Sequence, residues 1–258
     1  MSKHTTISGN ADGTSTSVTL QHRPQGADAP AATLEYFVLR GLGELPRVLL
    51  EHAGANYDSV FHWSNDVSWR ARRPTAALGY MPIYADEDVQ ELAESAAICR
   101  HIGRKHGLCG EGLAAQAAVD QLFEASRCVP LTSGGWRVEW QEDMGRCVSF
   151  LTKIAALLEA SPAVGNVAEL TIGDLSLWVL LQTFEEARAG WLATNGLASL
   201  EAFRAAVSAT PNIAAYVGSE RRVPITIKEK GEPGWQDVKP TAYAFADGAL
   251  SAAFDDAA

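Results

Sequence analysis

The chain has 258 residues, enough for one or two domains with a substantial core, and its 47% hydrophobic and 20% charged residues are ordinary for a globular protein. A formal net charge of −10 excludes a general nucleic-acid binder, which needs a basic footprint to neutralise phosphates, while small anionic ligands need only one or two local cations. No apolar run approaches the ~18 residues of a membrane span, and the opening MSKHTTISGN lacks the apolar core of a secretory signal, so a cytoplasmic protein with no membrane partner is expected. The four cysteines, Cys99, Cys109, Cys128 and Cys147, form no CxxC pair and stand at no zinc-finger spacing from a histidine, which predicts reduced, packed thiols and no metal.

Residues 1–31 are rich in Ser, Thr and Gly and poor in large apolar side chains, so they read as a flexible extension. From Thr33 the run Thr-Leu-Glu-Tyr-Phe-Val-Leu reads as a buried strand, broken at Arg40-Gly41-Leu42-Gly43. Leu45, Val48, Leu49 and Leu50 then recur at helical spacing, with Pro46 tolerated in the first turn and Gly54 as the stop. A second strand over Tyr57–Phe61 must lie parallel to the first, because a helix connects them. A polar loop carries Trp63, Trp69, Arg70, Arg72 and Arg73. Beyond it, Tyr80–Tyr84 and Val89–Leu92 read as a hairpin, and Glu94-Ser95 opens a helix to about His106. This β-α-β-loop-β-β-α order is the thioredoxin-like layout, an α/β domain over residues 32–107. After a Gly107–Gly112 linker the chain turns rich in Ala and Leu. Helical patterns over 113–130, 139–160, 172–189, 199–208 and 212–218 predict an all-α domain spanning 113–223. Residues 224–258, with Pro233, Pro240 and a small-residue end, read as a loosely ordered tail, with Val223–Ile227 as a short extended segment.

Five motifs stand in one order. They are Tyr36-Phe37 with Arg40-Gly41, Glu44 and Arg47; Leu78-Gly79-Tyr80-Met81-Pro82-Ile83; Glu94-Ser95-Ala96-Ala97-Ile98-Cys99-Arg100-His101-Ile102; Gly107-Leu108-Cys109-Gly110; and Thr171-Ile172-Gly173-Asp174. Between Leu34 and Val223 the sequence thereby resembles the cytosolic glutathione transferases of the tyrosine type, the sigma class most closely, with mu, pi and alpha related. The resemblance implies an enzyme that takes glutathione as co-substrate, a hydrophobic electrophile as acceptor and a second copy of itself as dimer partner.

It also implies roles for particular residues. Glutathione must react as its thiolate, and a free thiol with a pKa near 8.5 is only a few per cent ionised at pH 7. Lowering that pKa by two units requires about 2.7 kcal/mol of preference for the anion, and one hydroxyl hydrogen bond to a charged sulfur supplies ~1.5–3 kcal/mol. Tyr36 falls where the family places that hydroxyl. Ser95, at a helix start, falls where the γ-glutamyl carboxylate docks, and Glu94 beside it is placed to meet the ligand's ammonium. Met81 is expected to pair through its backbone with the cysteinyl unit, next to Pro82, which is cis in the family. Trp69 matches the family's glutathione-contacting tryptophan, and Arg73 falls where a lysine often faces the glycine carboxylate. Thr171 and Asp174 match a helix-capping box, a structural role. His62, His101 and His106 suggest no proton relay and read as surface or interface residues.

The sequence departs from the family at Leu42, where an arginine commonly lies near the thiolate, and Arg40 is the nearby candidate to replace it. Candidate walls for the acceptor pocket are Leu42, Phe123, Arg127, Trp136, Trp140 and Tyr243. Two alternatives stay open: a glutathione-dependent isomerase acting on a prostaglandin-like substrate, and a non-catalytic glutathione-binding or structural protein of the same fold.

Overall fold

The computed structural model describes residues 5–9, 16–22, 31–37, 40–62, 67–128, 144–219, 221–223, 242–246 and 249–253. In chain order the first half forms β1 (Thr5–Gly9), β2 (Thr16–His22), β3 (Ala32–Phe37), α1 (Glu44–His52), β4 (Tyr57–His62), α2 (Val67–Arg72), β5 (Ile83–Asp86), β6 (Leu92–Ala93) and α3 (Ser95–Lys105). Ala32, Leu34 and Tyr36 of β3 are buried while Thr33, Glu35 and Phe37 are half-buried, the two-residue alternation of a strand with one face on the core. β3 lies parallel to β4 and antiparallel to β5, and β5 pairs with β6. The connection through α1 makes the parallel pair possible. Gly54, at φ +67°, ends that connection in a backbone conformation that residues with a Cβ rarely adopt. The strands β4-β3-β5-β6 with their helices are the expected thioredoxin-like layer.

That sheet is wider than the sequence suggested. Its order is β1-β2-β4-β3-β5-β6, because β2 adds antiparallel to the free edge of β4 and β1 pairs with β2. The stretch expected to be a flexible extension therefore contributes a hairpin. Composition measures how little apolar surface such a segment can bury. It does not register that Thr16, Val18 and Thr19 suit a pleated strand, or that an open sheet edge offers unpaired backbone groups to bond. The tail departs in the same way: β7 (Ala242–Ala246) and β8 (Ala249–Ala253) pair antiparallel where a loose segment was expected. The stretch expected to be an irregular polar loop contains α2 and a 3-10 turn at Arg73–Thr75. Trp63, Trp136, Trp140 and residues 224–227 lie outside the described residues, and the side chain of Tyr243 is likewise not described.

The second half is helical: α4 (Gly112–Cys128), α5 (Met144–Ala160), α6 (Ile172–Ala187), α7 (Trp191–Thr194), α8 (Ala198–Ser208) and α9 (Pro211–Val217). The four-residue α7 was not anticipated, being too short to show a periodic pattern. α6 is buried on nearly every side, through Leu175, Leu177, Trp178, Leu180, Leu181 and Phe184, so it is the axis of this domain. One continuous apolar cluster runs from Leu34, Val48 and Leu49 through Ile98 and Ile102 to Leu122, Leu175 and Trp178, which joins the two domains in a shared core.

The start of α6 is fixed by a buried cap. Asp174 accepts from the Thr171 amide at 2.9 Å, the Thr171 hydroxyl at 2.6 Å and the Gly165 amide at 2.6 Å, while its own amide donates to Thr171 Oγ1. Removing the carboxylate leaves buried donors without an acceptor. An Asp174→Ala variant is expected to lose at least about 2 kcal/mol of folding stability, read from denaturant unfolding, and a loss below ~0.5 kcal/mol would contradict this account of the cap.

Candidate functional site

Tyr36 is the penultimate residue of β3 and is buried in a satellite cluster with Trp69, Ala76, Met81 and Ile83, against which Phe37 packs. Its phenolic oxygen accepts the Leu42 backbone N–H at 3.0 Å. That bond engages a lone pair and leaves the hydroxyl's own hydrogen to be donated elsewhere. Burial pushes the phenol pKa up, and although the Leu42 amide and the Arg47 charge pull it down, the net shift is upward. Tyr36 is thus a neutral donor at physiological pH.

The antiparallel register of β3 and β5, with Glu35 opposite Ile83, brings Met81 and Pro82 beside the Tyr36–Phe37 end of β3. Both residues are buried, and the Met81–Pro82 peptide bond is cis. Trp69, on α2, lays its ring edge-on to Phe37 at 5.9 Å. The segment bearing it is tied down by Arg72, which donates to Glu35 at 3.0 and 3.1 Å and to Glu91 at 2.5 Å. Arg73 is exposed, its guanidinium 6.0 Å from the centroid of the Tyr80 ring.

Glu94 and Ser95 stand at the start of α3. Glu94 is exposed and held at φ +70°, the one positive φ outside glycine among the described residues. A backbone kept there stores about 1–3 kcal/mol, a kind of strain that collects at ligand sites. The N-cap residue Glu94 makes no side-chain cap hydrogen bond, so the first backbone N–H groups of α3 have no capping acceptor from it. Ser95 is buried, and its Oγ accepts from Arg127 Nη2 of α4 at 3.0 Å. Arg127, read from sequence as an acceptor-pocket wall, therefore faces the start of α3. Thr171 and Asp174 sit apart from all of these, in the cap of α6.

Two sequence expectations, on Arg40 and His62, are corrected. Arg40 does not replace the missing arginine at residue 42. Its guanidinium turns to the helical domain, where Nη1 bonds Glu186 and Nε donates to the Val223 carbonyl at 2.6 Å. His62 is not a surface residue: it is buried and 3.1 Å from Glu35. His101 lies 2.9 Å from Asp86.

Sequence reasoning also missed a buried charge cluster behind Tyr36. Glu44 is 1% exposed and accepts from Arg222 Nε at 3.0 Å, Tyr216 Oη at 3.2 Å and Arg47 Nε at 3.4 Å. Arg222 also bonds Glu186 at 2.6 Å. Burial opposes ionisation of Glu44, yet Arg222, Arg47 and Arg40 together hold its pKa below the usual carboxylate value. The signal for this cluster was present, since Glu44 and Arg47 belong to the first motif, but their partners lie more than a hundred and fifty residues away in sequence. Among the described residues, Asp86, Asp88 and His101 bring three potential metal-ligand atoms together. The Lys105 ammonium already sits on both carboxylates, at 3.0 and 2.9 Å.

Residues 141–220 match the family model described as "Glutathione S-transferase, C-terminal domain". Glutathione S-transferase 1 of Ascaris suum is 37% identical over 95 residues, 37% of this chain and 45% of that protein. The hematopoietic prostaglandin D synthase of Gallus gallus is 34% identical over 95 residues, 37% of this chain and 46% of that one. The chain thus spans less than half the length of these two curated relatives. The crystal structure of the glutathione S-transferase from Ascaris lumbricoides superposes with a TM-score of 0.60 at 26% identity, over 76% of this chain and 99% of that one. A buried tyrosine near the end of the first strand of the thioredoxin-like layer, a cis proline facing it across the sheet, a third helix without a side-chain cap and a shared helical core accompany these similarities to glutathione S-transferases.

Proposed function

We propose that the protein is a tyrosine-type glutathione transferase, nearest the sigma class, in which the Tyr36 hydroxyl donates to the glutathione sulfur and holds it as the thiolate. The observation that carries this is the Leu42 amide bond to Tyr36 Oη. It orients the phenol, uses up acceptor capacity and leaves a single polarised O–H to donate. The thiol proton passes to solvent, the sulfur lone pair forms a C–S bond to an electrophilic carbon of a hydrophobic acceptor, and the leaving group departs with the displaced electron pair. Ser95 and the first amides of α3 take the γ-glutamyl carboxylate, and Glu94 takes the ammonium. The Met81 backbone pairs with the cysteinyl unit beside Pro82, Trp69 contacts the tripeptide and Arg73 faces the glycyl carboxylate. The enzyme works as a cytoplasmic homodimer, without a metal.

A second reading, isomerisation of a prostaglandin-like substrate, is favoured by the similarity to a prostaglandin D synthase. It uses the same thiolate and differs only in the acceptor, so turnover of an endoperoxide against a chloronitrobenzene separates the two.

Gly43 is required where it stands, because a Cβ there would meet Tyr36 Cδ1 at 2.5 Å and Cγ at 2.8 Å. The ring packs directly on the backbone that precedes α1.

With a chloronitrobenzene acceptor, Tyr36→Phe is expected to keep glutathione affinity and lose at least ~10-fold in conjugation rate, equivalent to about 1.4 kcal/mol, and equal rates would remove Tyr36 from the mechanism. Gly43→Ala must displace the Tyr36 ring. Its crystal structure should show the hydroxyl moved off the Leu42 amide, with conjugation reduced by a factor comparable to Tyr36→Phe. Ser95→Ala should weaken glutathione binding roughly 10-fold by calorimetry while saturated turnover changes little, since the contact is made equally in ground and transition states.

A further inference from the structure

The turn Arg40–Gly43 carries the amide that bonds Tyr36, and it is held at both ends by the helical domain as well as by its own. At its start, Arg40 reaches Glu186 at the end of α6 and the Val223 carbonyl. At its finish, Glu44 is gripped by Arg222 and by Tyr216 of α9. The two grips are one unit, because Arg222 bonds Glu44 at 3.0 Å through Nε and Glu186 at 2.6 Å through Nη1. Within the turn, the Arg40 carbonyl accepts the Gly43 amide at 3.1 Å and Arg47 Nη2 at 3.2 Å, so the backbone between the grips has little freedom. Leu42, between them, is 42% exposed, so its packing does not fix its amide.

Resting on the role given above to Tyr36, we propose that Arg222 and Glu186 are positioning residues for thiol activation, holding from the helical domain the turn whose Leu42 amide aims the Tyr36 hydroxyl. The groups facing this clamp are Arg40, Glu44, Arg47, Tyr216 and Gln182, which donates to Glu186 at 2.7 Å, and the ring of Trp178 lies 5.4 Å from the Arg222 guanidinium. Neither residue needs to touch glutathione. Each acts by limiting how far Leu42 N and Tyr36 Oη drift from 3.0 Å. A purely structural clamp would change melting temperature alone. A positioning clamp changes the ionisation of the bound thiol.

The test is the ultraviolet thiolate absorbance of glutathione bound to the full chain, titrated with pH, for wild type, Tyr36→Phe, Glu186→Gln and Arg222→Ala, together with KM and kcat on a chloronitrobenzene. Glu186 is partly exposed, so Glu186→Gln keeps the side-chain volume and is the variant on which the proposal stands if Arg222→Ala does not fold. In folded variants the bound thiol pKa should rise by about half a unit to one unit, with kcat/KM at pH 6.5 falling roughly three- to tenfold and KM for glutathione within about twofold. An unchanged thiol pKa in Glu186→Gln and in any folded Arg222→Ala, beside a raised one in Tyr36→Phe, would overturn the clamp and leave the tyrosine mechanism standing. An unchanged thiol pKa in Tyr36→Phe itself would overturn both.

Discussion

Glu44 has almost no contact with water, and a carboxylate in that position is stable only if cations and donors replace its hydration. Its own domain supplies Arg47 and Arg40, and the helical domain supplies Arg222 and Tyr216. The site side of the thioredoxin-like layer is therefore electrically incomplete without Tyr216 and Arg222. This constraint links the domains more specifically than the apolar core does. Hydrophobic contact between α1 and α6 tolerates small slides, whereas a charge-assisted bond weakens steeply as its angle and distance change. Such a cluster is poor evidence of net stability, since desolvation offsets most of the attraction. Its consequence is geometric: it fixes where the turn before α1 sits against α6 and α9.

The position of that turn decides what Tyr36 can do. A phenol buried among Trp69, Met81 and Ile83 has two tasks for one oxygen, to be held and to give its proton. If a side chain or carbonyl had taken the proton, the hydroxyl would be satisfied and chemically idle. Because the partner is an amide, which only donates, the oxygen is held through a lone pair and the O–H stays available. Gly43 lets the backbone come close enough for this, and the Arg40–Gly43 hydrogen bond curls the turn so that the Leu42 amide faces inward.

Much of this was legible in the residues, and the pattern of what was not is physical. β3, α1, β4 and the β5–β6 hairpin follow from local alternation, helical spacing and turn residues, all of which are written within a few neighbours. The capping partners Thr171 and Asp174 are three residues apart and equally readable. The β1–β2 hairpin escaped because its partner strand supplies the reason for it: an open edge on β4, about forty residues on, is not a property of a Ser- and Thr-rich segment taken alone. The roles of Arg40, Arg222 and Glu186 escaped for the same reason, since an isolated Arg or Glu on a helix end reads as solvated surface. Leu42 shows the limit most clearly. Its side chain signalled a missing arginine, while its contribution comes from a backbone amide that every residue except proline possesses.

That substitution also bears on how the proposed thiol activation is divided. An arginine beside a thiolate acts through charge, which falls off slowly with distance and tolerates a loose fit. With leucine there, the positive charge found to act on Tyr36 is that of Arg47, which is buried behind the turn and also committed to Glu44. The proposed preference for the anion then comes mainly from one directed hydrogen bond of ~1.5–3 kcal/mol, about the size that two pKa units demand. A single short-range bond asked for nearly the whole effect has little margin, because its strength drops sharply once the angle falls toward ~120°. A protein that relies on direction in place of charge must spend structure on holding the donor still. The turn gripped from the opposite domain, the glycine under the ring and the amide on the oxygen are three separate restraints on the same few atoms.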